Sequence, residues 1–361
     1  MSSAITRRRL VLSSLIAAPA ILSGRANTQE RRKVTFTLPW LAEGSNAFCF
    51  VAKANGYWDE LGLDVQITRG YGSVAAAQAI GAGQFQFGAA AASAGIQQAA
   101  KGLPVVALAS CGYDGTMGIC VLKDSPIKTP KDLAGKKLSS TVTSGEYPFL
   151  PLFAEKAGLD FKTVEVVQVD PNVRQRLLVS KQVDAMSGFA ISFVPPMTVQ
   201  KIEMRTMLFS QYGLTLYNNS LMTTLATLKS EPKLCADVTE GLMKAVKFTM
   251  LNPDEAVQLF LKLVPETAMS AAGVEQTRLG IGIFNVAMLH EPARKNCVGF
   301  TAPEDYQTMT DLVMKYVASS GDKRPNQSDV FTNDLVGKLK FTPEEWKAAE
   351  AKAEPYQKFL S

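Results

Sequence analysis

Residues 79–109 read AIGAGQFQFGAAAASAGIQQAAKGLPVVALA, and this stretch decides the fold class. After a glycine-punctuated turn, residues 85–89 form a short apolar run that predicts a buried strand. Residues 93–100 follow as a helix closed by Gly102, and residues 105–109 read as a second apolar strand. A strand, a helix and a strand in this order predict a parallel sheet with helices on both faces.

The same alternation extends in both directions from this unit. On the amino-terminal side the sequence predicts strands at 34–38 and 63–68 and helices at 47–60 and 74–80. The pattern then restarts, with strands at 117–122, 137–140, 164–169 and 185–190 and helices from Thr129-Pro130 and at 145–157 and 173–180. From about residue 230 the periodicity is helical, at 232–251, 253–263, 274–289, 303–318 and 343–354.

This restart predicts two α/β units, one inserted into the other. We expect residues 33–121 and 222–361 to form lobe 1 and residues 122–221 to form lobe 2. Open α/β sheets bind ligands beyond the carboxyl ends of their strands. The crevice between the two units is therefore the expected binding site.

Composition excludes several classes of protein. Of the 361 residues 47% are apolar and 20% charged, which excludes a disordered or collagen-like chain. The net charge of +5 falls to +1 once the four arginines of the first 26 residues are set aside. Such a balance predicts no binding to nucleic acid. A single histidine, His290, excludes multi-histidine metal sites, and no cofactor is expected.

The first 26 residues have the layout of an export signal. Three arginines precede the mostly apolar run 10–22, which is too short to span a bilayer, and Gly24-Arg25-Ala26 suits cleavage. Thr6 and the arginines after it partly match a twin-arginine signal, and an ordinary secretory signal or a retained anchor remain alternatives. We expect a protein of the periplasm.

Five widely spaced cysteines predict at least one free thiol and leave a Cys111–Cys120 bridge open.

Several blocks of the chain, in order, resemble one family. They are LPWLAEGSNAFCFVAKANGYW (38–58), GYWDELGLDV (56–65), AIGAGQFQFG (79–88), AAAASAGIQQAAKGLPVV (89–106), SPIKTPKDLAGKKLSS (125–140), KQVDAMSGFA (181–190) and NPDEAV (252–257). They are similar to the nitrate, sulfonate, taurine and thiamine-pyrimidine family of substrate-binding proteins of ABC transporters. The first block is most similar to the thiamine-pyrimidine branch.

The resemblance implies a fold, a partner and an activity. It implies a two-lobe, hinged type II periplasmic-binding fold that holds a small solute between its lobes and delivers it to an ABC permease in the inner membrane. We expect a monomer. The eukaryotic pyrimidine-synthase relatives carry a cysteine-rich signature and a histidine that this chain lacks, so the expectation is a binding protein and not an enzyme.

Candidate ligand contacts lie at predicted strand ends and helix starts. Helix amino-termini offer free N–H groups there. None of the loops 39–48, 89–98, 110–117, 139–149 and 187–197 contains a basic residue. Aromatic and acidic side chains suit a neutral or protonated nitrogen-containing ring, such as a pyrimidine. The predicted contacts are Trp40, Asn46, Ala91, Ser93, Tyr113, Ser144, Glu146, Tyr147, Phe189 and Tyr217.

Other interpretations stay open at this point. Trp40 and Phe189 also suit a packed core, and Asn46 and Ser93 also suit helix caps. A receptor for alkanesulfonate, taurine or nitrate is the alternative within the same class. An exported enzyme or a ligand-sensing partner of a membrane receptor are the alternatives from other classes.

Overall fold

Two five-stranded sheets form the framework of the computed structural model, which describes residues 30–360. The first sheet has the order β2-β1-β3-β10-β4 and the second β7-β6-β8-β5-β9. The strands are β1 (Arg32–Thr37), β2 (Leu63–Thr68), β3 (Phe87–Ala91), β4 (Val105–Cys111), β5 (Met117–Leu122), β6 (Lys137–Ser140), β7 (Glu165–Gln168), β8 (Ala185–Phe189), β9 (Met204–Leu208) and β10 (Asn219–Thr224).

Both sheets are mixed, whereas the sequence pattern predicted parallel sheets. β1 pairs in parallel with β2 and β3, but β10 lies antiparallel between β3 and β4. In the second sheet β6 pairs in parallel with β7 and β8, and β5 runs antiparallel to β8 and β9. The antiparallel strands are the ones that come directly after a crossing between the sheets. Such a strand enters its sheet from the opposite direction, so its direction could not follow the βα alternation.

Sheet membership moves both boundaries of the predicted lobes. A first lobe ending at residue 121 would take β5 out of the second sheet, where it pairs with two neighbours. A second lobe ending at residue 221 would take half of β10 out of the first sheet. We therefore call the first sheet with its helices lobe 1 and the second sheet with its helices lobe 2. The chain crosses between them at 112–116 and 209–218.

Helices cover the sheets and make up most of the chain after β10. The longest, α8 and α11, belong to lobe 1, and α11 packs against the 3₁₀ turn Gly44–Asn46 of lobe 1 and against α6 of lobe 2. The α-helices are α1 (Ala47–Ala54), α2 (Ser73–Gly81), α3 (Ala92–Ala100), α4 (Leu150–Ala157), α5 (Arg174–Val179), α6 (Ala190–Val199), α7 (Leu225–Ser230), α8 (Pro232–Leu251), α9 (Pro253–Leu263), α10 (Pro265–Ala268), α11 (Ala271–Met288), α12 (Glu291–Lys295), α13 (Pro303–Tyr316), α14 (Gln327–Val330) and α15 (Pro343–Ala353).

Trp58 anchors the core of lobe 1. Its indole is 1% exposed, lies 6.0 Å from the ring of Phe36 in β1, and donates a hydrogen bond of 3.1 Å from Nε1 to the carbonyl of Val238 in α8. A buried indole needs such a partner for its N–H. Residues 56–65, which carry part of the family resemblance, thus serve packing rather than ligand binding.

All five cysteines are buried and free. Cys111 ends a strand of the first sheet and Cys120 lies in the second, so the bridge left open by their spacing does not form here. The predicted leader, residues 1–26, lies outside the described residues and stays a prediction. Among residues 30–360, no helix is both long and apolar enough to cross a bilayer.

The turn that carries Asn46 lies against α11 without room for a side chain at residue 44. A Cβ atom on Gly44 would lie 2.3 Å from the carbonyl oxygen of Thr277 in α11. We expect Gly44→Ala to lower the free energy of unfolding by about 1–3 kcal/mol, because a methyl group forced into a packed contact displaces backbone. Denaturant unfolding measures this, with Gly321→Ala as the control, since nothing lies within 4 Å of that position. Equal stability of the two variants would contradict the close packing.

Candidate functional site

A cavity with about 380 Å³ of empty space lies between the two lobes. Its walls are strand ends and helix starts: Trp40 follows β1, Phe189 ends β8, and Ser73 and Arg174 begin α2 and α5. This is the carboxyl edge at which open α/β sheets bind ligands. The cavity is lined by Pro39, Trp40, Ser45, Asn46, Ser73, Asn218 and Asn219 from lobe 1 and the second crossing, and by Ser144, Arg174, Phe189, Ile191 and Ser192 from lobe 2.

Four of the predicted contact residues line this cavity: Trp40, Asn46, Ser144 and Phe189. Trp40 is only partly buried, which separates it from the core tryptophan. A fifth predicted contact, Glu146, is fully buried and accepts a hydrogen bond from the lining residue Ser144. These residues lie at strand ends and helix starts, and their role as ligand contacts stays a prediction.

The other predicted residues do not line the cavity. The rings of Tyr113 and Tyr217 pack edge to face at 5.1 Å near the crossings. Their hydroxyls donate to the carbonyl of Phe300 at 2.8 Å and to the carboxylate of Asp305 at 2.6 Å. Three further residues are not part of the lining: Ala91 and Ser93 are buried at the end of β3 and the start of α3, and Tyr147 accepts a hydrogen bond from Gln168.

Arg174 is the functional candidate that the sequence reading missed. It is 5% exposed and lines the cavity, although the loops chosen for the charge argument contain no basic residue. That choice left out the loop between β7 and α5, which also lies at the carboxyl edge of its sheet. Applying the strand-end rule to every strand would have found it. The five loops contain no basic residue, as stated, but the lining of the cavity includes one from a loop outside that set.

The charge of Arg174 faces a buried carboxylate. Nη1 of Arg174 lies 3.6 Å from Oε1 of Glu146. Oε1 also accepts a hydrogen bond from the hydroxyl of Ser187 at 2.9 Å, and Oε2 accepts one from the hydroxyl of Ser144. The guanidinium lies over the indole of Trp40, 5.1 Å from the ring centroid, in a cation–π arrangement across the two lobes. Burial lowers the pKa of Arg174 and the nearby Glu146 and Glu43 raise it. Arginine keeps its charge in proteins, so Glu146 faces a buried positive charge.

Several hydrogen bonds join the lobes around the cavity. The hydroxyl of Ser192 in α6 donates to Oε1 of Glu43 at 2.5 Å. On the opposite rim, Thr143 of lobe 2 donates from its hydroxyl to the carbonyl of Tyr71 at 2.5 Å and accepts at 3.0 Å from the backbone N–H of Val74. The structure therefore has its lobes in contact on two sides of the cavity.

Glu43 makes stability depend on pH. Burial raises its pKa from 4.5 to about 7, against the opposing effect of hydrogen bonds from Ser192 and Ser45 and of the charge on Arg174. The folded protein thus holds a proton that the unfolded chain releases near pH 4.5, so this group's contribution to stability declines as the pH rises from about 4.5 to about 7.

We expect Glu43→Gln to remove this part of the pH dependence. Glutamine cannot ionise, so the melting temperature of the variant relative to the wild type should rise between pH 4.5 and pH 7 and then level off. Thermal unfolding of both proteins across this range measures the difference, and the other titrating groups cancel in it. A difference that does not change with pH would contradict the raised pKa.

His290 lies away from the cavity, in lobe 1. It precedes α12, its ring lies 6.1 Å from that of Tyr113, and burial lowers its pKa. Within residues 30–360, no group of three or more histidine, cysteine, aspartate or glutamate side chains could hold a metal ion.

A cavity enclosed between two α/β lobes at their strand ends defines the two-lobe fold of periplasmic substrate-binding proteins. The chain belongs to the NMT1/THI5-like family, whose model matches residues 44–256. This confirms the fold class and the family expected from the sequence blocks.

Solved structures share the fold. The alkanesulfonate-binding protein SsuA of Xanthomonas axonopodis pv. citri, bound to MOPS, superposes with a TM-score of 0.64 at 14% identity over 84% of this chain and 99% of that one. The nitrate-binding protein NrtA of Synechocystis PCC 6803 gives 0.60 at 13% identity over 92% and 91%.

Named relatives fall into two groups. A protein of Haemophilus influenzae whose name provisionally assigns it to thiamine biosynthesis is 27% identical over 65% of this chain and 74% of its own length. The formylaminopyrimidine-binding protein of Halalkalibacterium halodurans is 26% identical over 70% and 78%. A Legionella pneumophila relative named 4-amino-5-hydroxymethyl-2-methylpyrimidine phosphate synthase is 21% identical over 65% and 75%. The family thus includes proteins named for binding and for synthesis.

Proposed function

We propose that this chain is the solute-binding component of an ABC importer and holds a small, neutral or protonated nitrogen-containing ring between its lobes. It acts in the periplasm and delivers the ring to a permease in the inner membrane. The observation that carries this proposal is the charge balance of the cavity. Within the described residues, Arg174 is the only cationic side chain in the lining, and its charge is already met by Glu146.

This balance disfavours an anionic ligand. A nitrate or a sulfonate brings a full negative charge, which needs positive charge or several free donors to replace its water shell. Arg174 faces one buried carboxylate, and Glu43 adds a second acid near it. A neutral ring adds no charge to this arrangement, and a protonated ring is attracted by the acids.

Shape and relatives support the same ligand class. Trp40 and Phe189 offer aromatic surface from opposite lobes, which suits stacking on a flat ring. The name of the Halalkalibacterium halodurans relative specifies a formylaminopyrimidine, which is such a ring.

We also propose that the chain binds its ligand without turning it over. The lining contains several serines but no histidine, lysine or cysteine, and the carboxylates bonded to Ser144 and Ser192 are each held by a further hydroxyl, that of Ser187 on Glu146 and that of Ser45 on Glu43. His290 is remote from the ligand. The relatives named as synthases make this a point to test directly.

The test is calorimetric titration of the purified protein with 4-aminopyrimidine, ethanesulfonate and nitrate, followed by chromatographic recovery of the bound compound. We expect saturable binding of the aminopyrimidine, weaker or no binding of the two anions, and complete recovery of the unchanged ring. Tighter binding of either anion would favour the alternative receptor. A new product in the recovered fraction would overturn the non-enzymatic proposal.

We further propose that the lobes hinge at the two crossings, 112–116 and 209–218. Thr116 in the first crossing has a φ of 47°, a backbone conformation that L-residues seldom adopt and that occurs where a chain switches direction. We expect small-angle scattering to give a smaller radius of gyration with saturating ligand than without it, because ligand favours the closed form. An identical radius in both conditions would contradict hinged closure.

A further inference from the structure

Asn46, which lines the cavity, has an unpaired acceptor. Its side chain is 1% exposed, and Nδ2 donates to the carbonyl of Leu41 at 3.0 Å. That bond fixes the orientation of the amide, because a carbonyl can accept only from the nitrogen. The other amide atom, Oδ1, is buried and has no hydrogen-bond partner. Buried acceptors without partners are rare, and each calls for a specific explanation.

Arg174, which lines the same cavity, has an unpaired donor. Nη1 is buried and has no hydrogen-bond partner. The 3.6 Å that separates it from Oε1 of Glu146 is an ion-pair distance, too long for a hydrogen bond. Glu146 is itself held by two serine hydroxyls and therefore balances the charge of Arg174 without satisfying this N–H group.

We propose that Asn46 and Arg174 together read one edge of the ligand, an edge that carries an N–H donor beside a lone-pair acceptor. The donor binds Oδ1 of Asn46 and the acceptor binds Nη1 of Arg174. This rests on the proposed function, since it specifies the ring held between the lobes. An amino group next to a ring nitrogen, as in a 4-aminopyrimidine, provides this edge in the plane of the ring.

The two residues come from different lobes. Asn46 ends the 3₁₀ turn that packs on α11, and Arg174 begins α5 of lobe 2. A ligand with both groups therefore bridges the lobes, whereas a ligand with one group satisfies one lobe only. A sulfonate or nitrate has acceptors alone, and its lone pairs would face the lone pairs of Asn46 Oδ1.

The test is a cycle of two ligands and two proteins. Calorimetry measures the affinity of 4-aminopyrimidine and of unsubstituted pyrimidine for the wild type and for Asn46→Ala. Loss of the amino group should weaken binding to the wild type by roughly 10- to 100-fold, because it leaves a buried acceptor unpaired. In Asn46→Ala the affinities of 4-aminopyrimidine and pyrimidine should differ by less than about threefold, because the acceptor for the amino group is gone. Equal losses in both proteins would overturn the proposal.

Two further variants complete the test. Asn46→Asp keeps an acceptor at this position, so the amino group should remain important there, and this variant serves if Asn46→Ala does not fold. The matched control is Ser73→Ala, which removes another polar lining group of lobe 1. In this variant the affinity difference between 4-aminopyrimidine and pyrimidine should be the same as in the wild type. A smaller affinity difference between the two probes in Ser73→Ala would show that the effect is not specific to Asn46, and this would overturn the proposed contact between Asn46 and the amino group.

Arg174 is tested with its charge partner removed. The double variant Arg174→Gln, Glu146→Gln removes the proposed donor to the ring nitrogen. Both probes contain that nitrogen, so both should bind this variant at least tenfold more weakly than the wild type, and by similar factors. Unchanged affinity for both would remove Arg174 from the proposed pair. Failure of 4-aminopyrimidine to bind the wild type at all would overturn the proposed function itself. Binding of both probes without any dependence on Asn46 would overturn only the recognition of this edge.

Discussion

Glu146→Ala should lower the free energy of unfolding by about 3–5 kcal/mol, because it leaves the guanidinium of Arg174 buried without its counter-charge. Glu146 is 0% exposed and Arg174 5%, so water cannot replace the lost carboxylate without opening the lobe. Denaturant unfolding at pH 7 measures the loss. A variant within about 1 kcal/mol of the wild type would contradict the buried pair.

Two controls separate charge from packing in this experiment. The double variant Glu146→Gln, Arg174→Gln removes both charges and should recover much of the stability lost in Glu146→Ala, though not ligand affinity. The ion pair between Asp124 and Lys181 is the matched exposed case, since each side chain is 68% exposed. Asp124→Ala should leave the melting temperature nearly unchanged, because water screens that pair.

Trp40→Ala should weaken binding of the ligand by roughly 30- to 1000-fold, which corresponds to about 2–4 kcal/mol for an aromatic anchor. The indole lines the cavity, is partly exposed there and lies under the guanidinium of Arg174. Trp40→Phe should lose less, because part of the aromatic face remains. Calorimetric titration of the folded variants gives the factors. An affinity within about threefold of the wild type would remove Trp40 from the site.

Trp58 supplies the contrasting tryptophan. It packs in the core of lobe 1 with its N–H bonded to the backbone of α8, and it does not line the cavity. Trp58→Phe should therefore lower the melting temperature and leave the affinity of the folded protein nearly unchanged. If Trp58→Phe instead left the protein stable and weakened binding, Trp58 and not Trp40 would be the tryptophan that contacts the ligand.

Regular elements with strong local signals were predictable from the sequence. Strand β2 and helices α8 and α9 have the predicted limits, because alternation defines the strand and a proline at the first helical position defines each helix start. Helix α6 was not predicted. It contains Pro195 and Pro196, which read locally as a break, and its packing against α11 is a tertiary contact that local sequence does not reveal.

The sequence predicted which backbone positions lie at the crevice, but not which side chains face it. Strand ends and helix starts identified Trp40, Asn46, Ser144 and Phe189, because topology places these positions at one crevice. The same rule cannot distinguish a side chain that faces the ligand from one that turns into the core. Tyr113 and Tyr217 lie near the crossings, yet their hydroxyls are bonded to other parts of lobe 1. Arg174 was missed because the loop between β7 and α5 was left out of the set of loops to which the rule was applied.

The contact between residues 72 and 143 has a consequence for how binding strength and selectivity are adjusted. A Cβ atom at Gly72 would lie 2.1 Å from the carbonyl oxygen of Thr143, so the rim closes backbone to backbone without any ligand atom. If the lobes hinge as proposed, bonds of this kind set the fraction of closed molecules, and apparent affinity scales with the fraction of competent molecules. Changes at Thr143 would therefore rescale the affinity for every ligand by one common factor. In evolution or design, the rim could set the concentration range in which the protein works, while the cavity separately sets which molecule it chooses.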